Sequence, residues 1–203
     1  MTGKMVIVCA LLLLTQKAYN QHIKVDNKLV FSSFYNNKKL PILSSERVSS
    51  YSFMIGADYL QKTWFYLSSQ IGYMKVGGKE TNPALQGSDI NIEESKNYGH
   101  INTTFRAYIH SSDLQFFVGI GPFVNILTGS RKFRSSLYSP DYKFQSLYAG
   151  SKAEIGVTQD IDRFRIGLVG DYLYNVSAPA VSPYIMLGNH TFSGAVSIGY
   201  KIR

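Results

Sequence analysis

The stretch "FRIGLVGDYLYN", residues 164–175, puts Phe164, Ile166, Leu168, Gly170, Tyr172 and Tyr174 at even positions and Arg165, Gly167, Val169, Asp171, Leu173 and Asn175 at odd ones. A period of two marks a β-strand, whose successive side chains point to opposite faces. One face here is apolar and aromatic; the other carries an arginine, an aspartate and a glycine. The fold turns on which of these faces meets the protein's interior.

The pattern recurs along the chain. Tyr51, Phe53, Ile55, Ala57 and Tyr59 alternate with Ser52, Met54, Gly56 and Asp58, and Phe65, Leu67, Ser69, Ile71 and Tyr73 with Tyr66, Ser68, Gln70 and Gly72. Ile101 to Ile109 alternate about Asn102, Thr104, Arg106 and Tyr108, and "LQFFVGIGPFVNIL" sets Phe116, Val118, Ile120, Val124 and Ile126 against Gln115, Gly119, Gly121 and Asn125. "LYAGSKAEIGV" opposes Leu147, Ala149, Ala153, Ile155 and Val157 to Gly150, Lys152, Glu154 and Gly156, and "TFSGAVSIGYKIR" closes the chain in the same way. "HIKVDNKLVFSSF", from His22, is a weaker first strand and brings the count to eight.

What joins these strands alternates too. Segments 61–63, 111–113 and 159–162 are tight, whereas 35–49, 77–97, 129–145 and 176–189 are long and rich in Asn, Ser, Gly, Lys and Pro. In an up-and-down barrel every other connection falls at the same rim, so this alternation predicts one short-turned and one long-looped rim. That asymmetry is a property of outer-membrane barrels, and an even strand count places both chain ends at the short-turned rim. Pro122 falls mid-strand, where it removes a ladder donor, and a bulge is expected there.

Glycine settles the orientation. Gly119, Gly121, Gly150, Gly156 and Gly167 all lie on the polar faces, where a water-facing surface has no use for them. The interior of an eight-stranded barrel is just wide enough for side chains, and glycines there make room for large charged neighbours. The apolar faces therefore meet lipid, and the polar faces fill the lumen. The expected class is all-β, an eight-stranded antiparallel up-and-down transmembrane barrel.

The start of the chain, "MTGKMVIVCALLLLTQKAYNQ", sets Lys4 ahead of an apolar run ending at Leu14, which reads as a secretory signal peptide over 1–21, with the barrel over 22–203. Cys9 is the chain's one cysteine; it lies inside the apolar run and not at its end, which excludes a lipoprotein. Removing Lys4 and Lys17 takes the formal charge from +8 to +6. The cations are scattered and form no nucleic-acid motif, the histidines are dispersed without a metal cluster, and no cofactor is expected.

In "FFVGIGPFVNIL", "FRIGLVGDYLYN" and "VSIGYKI", in this order and spacing, the chain resembles the bacterial outer-membrane β-barrel domain family often labelled porin family proteins, eight-stranded barrels of OmpA-like or PorT-like type. The resemblance covers nearly all of residues 22–203 and implies the barrel fold, an outer-membrane location and a dependence on the barrel-insertion machinery. It brings no catalytic residues. Such barrels usually end on an aromatic, whereas the last aromatic here is Tyr200, before Lys201, Ile202 and Arg203.

Two groups of site residues follow. Asp58, Arg106, Lys152, Glu154, Arg165 and Asp171 all face inward with both signs of charge, and should pair, because a lone buried charge is expensive. In the connection 128–145, Arg131, Lys132, Arg134 and Lys143 are interleaved with aromatics and could contact an anionic lipid such as lipopolysaccharide, while 77–97 carries Glu80, Asp89, Glu93 and Glu94. Those two loops could equally attract each other across the mouth. The expected role is structural or interactional, with a filled lumen and working loops. The alternatives are a narrow pore or secretion accessory, and a lipid-modifying enzyme using His100, His190 and Ser193. No sequence feature sets an oligomeric state, and a monomer is the default.

Overall fold

The computed structural model describes residues 21–36, 46–81, 91–111, 113–129, 132–134, 143–181 and 186–202. The segment read as a signal peptide lies outside the described residues, apart from Gln21. Eight long strands carry the fold: β1 (His22–Asn36), β2 (Val48–Tyr59), β3 (Phe65–Thr81), β4 (Asn91–Ser111), β5 (Leu114–Leu127), β8 (Leu147–Ile161), β9 (Phe164–Asn175) and β11 (Met186–Lys201). Each pairs antiparallel with the next, and β1 pairs with β11 from His22↔Lys201 to Asn36↔Leu187, which closes the barrel. Closure satisfies every strand edge, the condition for crossing lipid with strands.

The register also sets the barrel's shape. Followed round from Ile23 through Ala57, Ser69, Thr103, Pro122, Ser151, Tyr174 and His190, it returns to β1 at Ser33, ten residues further on. A stagger of that size over eight strands tilts them by roughly 40°. The turns after β2, β4 and β8 gather at the rim where His22 and Lys201 pair, and two of them contain positive φ, at Leu60 (54°) and Asp162 (52°). The strand ends joined by the long connections lie at the opposite rim.

Strand pairing runs further toward that rim than the apolar alternation does. β3 continues to Thr81 and β4 begins at Asn91, so much of the expected loop 77–97 is barrel wall. Past Tyr73 of β3 and Ile101 of β4 the outward face carries Lys75, Lys79 and Asn97, and the alternation fades while the backbone ladder continues. Three short strands prolong the wall: β6 (Lys132–Arg134) on β4, and β10 (Ala180–Val181) and β7 (Lys143–Phe144) beyond β11. The last tight turn is Asp162 and Arg163, placed later than the expected 159–162.

The bulge expected at Pro122 does not form. The β4–β5 register is the same on both sides, Asn102↔Phe123 and Phe105↔Ile120, with only the ladder lapsing between, and the β5–β8 register runs through Pro122↔Ser151. Successive N–H groups of an antiparallel strand alternate between its two neighbours, so the proline forfeits bonding on one side only. Gly121 beside it lets β4 come close: a Cβ there would lie 1.9 Å from the Thr103 carbonyl oxygen. No extra residue is needed.

The molecule is apolar on the outside. Ile55, Ile71, Val118, Ile120, Ile155, Leu168 and Val196 are exposed around the wall. Trp64, Phe65 and Phe105 pack together near the tight-turn rim, with Phe164 against Tyr200. Phe31, Phe192 and Tyr172 form a register row nearer the other rim. An apolar band between two aromatic girdles is the lipid-facing pattern of membrane barrels.

Candidate functional site

The lumen is filled by side chains from all eight strands. Toward the tight-turn rim Tyr66, Tyr108, Phe117, Val169 and Ala195 form one apolar cluster; toward the long-connection rim Val30, Met54, Met74, Val76, Tyr98, Phe123, Tyr148 and Leu173 form another. Most of the charge lies between them. Alternation in β4, β8 and β9 turns Arg106, Lys152, Glu154, Arg165 and Asp171 inward, and β2 does the same for Asp58; all six are buried.

Glu154 is the centre of this network. Both its oxygens accept from Arg106, at 2.5 Å from Nε and 3.1 Å from Nη2, and Oε2 also meets Lys152 Nζ at 2.7 Å. The Arg106 guanidinium lies 4.4 Å from the centroid of the Phe117 ring. Gly119 makes the room: a Cβ there would sit 2.7 Å from Glu154 Cγ and 3.1 Å from Arg106 Cγ. Asp171 takes Lys28 Nζ at 2.6 Å and the Ser193 hydroxyl at 2.6 Å, with Lys152 at 3.9 Å. Asp58 takes Lys24 at 3.0 Å, with Arg165 and Arg106 at 3.7 and 3.9 Å.

Arg165 goes elsewhere than to Glu154 or Asp171. Its two-point partner is Asp160, at 2.6 and 2.9 Å, whose side chain is 55% exposed at the tight-turn rim. The sequence reading also lacked the contribution of β1, which supplies Lys24, Asp26 and Lys28. Asp26 is held by Ser197 at 2.6 Å and by Gln70, which also accepts from Lys152 and Asn102. Ion pairing in the lumen is thus extended by neutral amides and hydroxyls, the added hydrogen bonds that make buried charge tolerable.

His100 and His190 lie on opposite sides of the barrel wall. His100 is inside the barrel, stacked on Phe123 and bonded to Asn125 Oδ1 at 2.6 Å. His190 faces outward, stacked on Tyr35 with ring centroids 4.2 Å apart, its Nδ1 2.8 Å from the Tyr172 hydroxyl. Ser193 is lumenal, so although it lies three residues from His190 in sequence, alternation puts the two on opposite faces of β11. No group of three or more metal-binding side chains is found among the described residues.

At the outer rim the basic and acidic segments lie side by side. Arg131 and Asp89 are outside the described residues. β6 pairs with β4 as Lys132↔Ser95, Phe133↔Glu94 and Arg134↔Glu93, so the basic segment runs antiparallel along the acidic one. Glu80 stays on β3, opposite Ile92. Lys143 is exposed on β7, and its neighbour Phe144 packs on Phe34 at 5.9 Å with Lys96 Nζ 4.2 Å over its ring.

A closed, tilted eight-stranded barrel, apolar outside and ion-paired within, is the architecture of bacterial outer-membrane barrels. Among solved structures the chain is similar to Neisserial surface protein A, at 12% identity over 92% of this chain and 100% of that one, with a TM-score of 0.56. It is similar also to the outer membrane protein OprG from Pseudomonas aeruginosa, at 11% identity over 92% and 97% of the two chains, with a TM-score of 0.58. At these identities the likeness is one of fold. No family model and no curated protein matches the chain.

Proposed function

We propose that this chain is a resident of the bacterial outer membrane with a non-conducting barrel and no catalytic activity, whose role is structural or interactional and is exercised at its outer rim. The observation that carries this reading is the interior. Arg106, Lys152, Glu154, Lys28 and Asp171 are mutually paired and buried, and Val30, Met74, Tyr98, Phe123, Tyr148 and Leu173 pack between them and the outer rim. An ion would have to break paired charges and cross an apolar layer. Arg131, Lys132, Arg134 and Lys143 are the rim cations we assign to contact with an anionic lipid such as lipopolysaccharide, with β6 held on the wall by β4.

Single-channel recording on the refolded protein tests the reading. The expected record shows no unitary steps. Steady ohmic conductance would move the assignment to a narrow pore.

A further inference from the structure

We propose that the outer wall of β1, β9 and β11 is a site for one phosphate-bearing lipid of the outer leaflet, its headgroup on Arg47 and His190 and one acyl chain in the notch below them. The proposal rests on the membrane reading of the fold. Gly170 of β9 and Gly194 of β11 are register partners and both face outward. Two adjacent strands therefore lack side chains where the row neighbours on either side are Leu29 of β1 and Ile155 of β8. The result is a mostly apolar notch of about 510 Å³ floored by these glycines and walled by Leu29, Phe31, Tyr51, Leu168 and Val196, with Asn27 at its edge taking the Tyr51 hydroxyl. It lies in the lipid-facing band, and it is two strands across, roughly 10 Å, which suits a hydrocarbon chain.

What stands above the notch selects the lipid. On β11 the outward residues preceding Gly194 are Phe192 and His190; on β9 those following Gly170 are Tyr172 and Tyr174. Phe192 and Tyr172 are in ring contact at 4.7 Å, and the His190 imidazole is clamped between Tyr35 and Tyr172. Arg47, exposed just before β2, lays its guanidinium 5.7 Å from the centroid of the Phe192 ring. It makes no ion pair among the described residues. Its charge is thus held against the outer girdle, where lipid headgroups lie, without an ion-paired carboxylate among the described residues. A phosphate with a guanidinium and an imidazole beside it completes that arrangement. From His190 to Gly194 the strand descends roughly 10 Å, after tilt, about the step from a headgroup to the upper part of its acyl chain.

The test refolds the full chain in phosphatidylcholine micelles doped with phosphatidic acid as the probe, and counts retained lipid by native mass spectrometry. One phosphatidic acid should be retained in preference to phosphatidylcholine. Arg47→Gln should cut that preference roughly tenfold, as expected for one charge-assisted contact. Gly194→Leu should abolish retention of either lipid. A Cβ at Gly194 has no atom within 4 Å, so this variant should fold; Gly170→Leu, with Ile155 3.9 Å away, is the second notch-filling variant. Inorganic phosphate should not compete, because the chain in the notch anchors the headgroup. Unchanged preference in Arg47→Gln, or unchanged retention in both glycine variants, overturns the proposal. So does loss of binding confined to Arg131→Gln/Lys132→Gln/Arg134→Gln, which would move the lipid to the loop. Failure of the unaltered chain to enter micelles would instead strike at the membrane reading itself.

Discussion

Glu154 and Asp160 are both carboxylates gripped at two points by an arginine, and the difference between them is solvent. Glu154 is buried beside two cations, Arg106 and Lys152, whereas the side chain of Asp160 is 55% exposed at the rim. Neutralising Glu154 leaves two cations in a low-dielectric interior short of an anion. Glu154→Gln should therefore lower stability by about 3–5 kcal/mol, while Asp160→Asn should cost less, because the exposed Asp160 is readily replaced by water and buried Arg165 keeps Asp58 at 3.7 Å. Urea midpoints of the refolded variants check this, and equal costs would mean that water reaches Glu154. Of these residues Arg106, Lys152 and Glu154 were legible as inward and of opposite sign. Their pairing was not, because partners on separate strands meet only through the register. Nor was the assignment of Arg165 to Asp160: the two are five residues apart but face each other across a tight turn, and the turn's position was misread.

At the scale of the strand, legibility followed the apolar face. β5 and β9 were readable because seven or so alternations set hydrophobic residues against glycine and charge. β1 was the faintest, since Asn27 and Ser33 interrupt its outward face, yet it supplies three of the buried charges. Alternation does place Val169 and Leu173 of β9 on the lumenal face, and Phe123 of β5 shares the parity of Gly119 and Asn125; what it does not show is that they join in apolar packing there. The orientation of β9 can be tested by depth. Leu168 lies within the apolar band and Tyr174 at its outer girdle, and both are exposed. Leu168→Arg should cost about 2–4 kcal/mol and Tyr174→Arg about 0–1 kcal/mol, because a cation near the interface can reach headgroups and water. Unfolding free energies from lipid vesicles distinguish the two. Costs of the same size at both positions would mean that β9 does not cross a bilayer at the proposed depth.

The whole molecule inverts the usual arrangement of a soluble barrel. A water-soluble barrel of this size would place its apolar residues inside, and a ligand cavity or a dry core would result. Here the interior holds Lys24, Lys28, Arg106, Lys152, Asp26, Asp58, Glu154 and Asp171, all buried, while Ile55, Ile71, Ile120, Ile155 and Leu168 are exposed on the wall. Turning the barrel inside out is impossible without reversing every alternation, so the wall must find an apolar solvent or aggregate. Burying apolar surface is worth about 25 cal/mol per Å², and only a bilayer covers a closed wall on all sides while leaving both rims wet. In a Gram-negative host the protein should sediment with the outer membrane, resist extraction by carbonate and high salt, and come into solution only with detergent. As a closed hydrogen-bonded barrel it should then migrate differently on electrophoresis before and after boiling. Native, monodisperse protein recovered from the periplasm without detergent would refute the lipid-facing assignment, and with it the depth of β9 and the site on the outer wall.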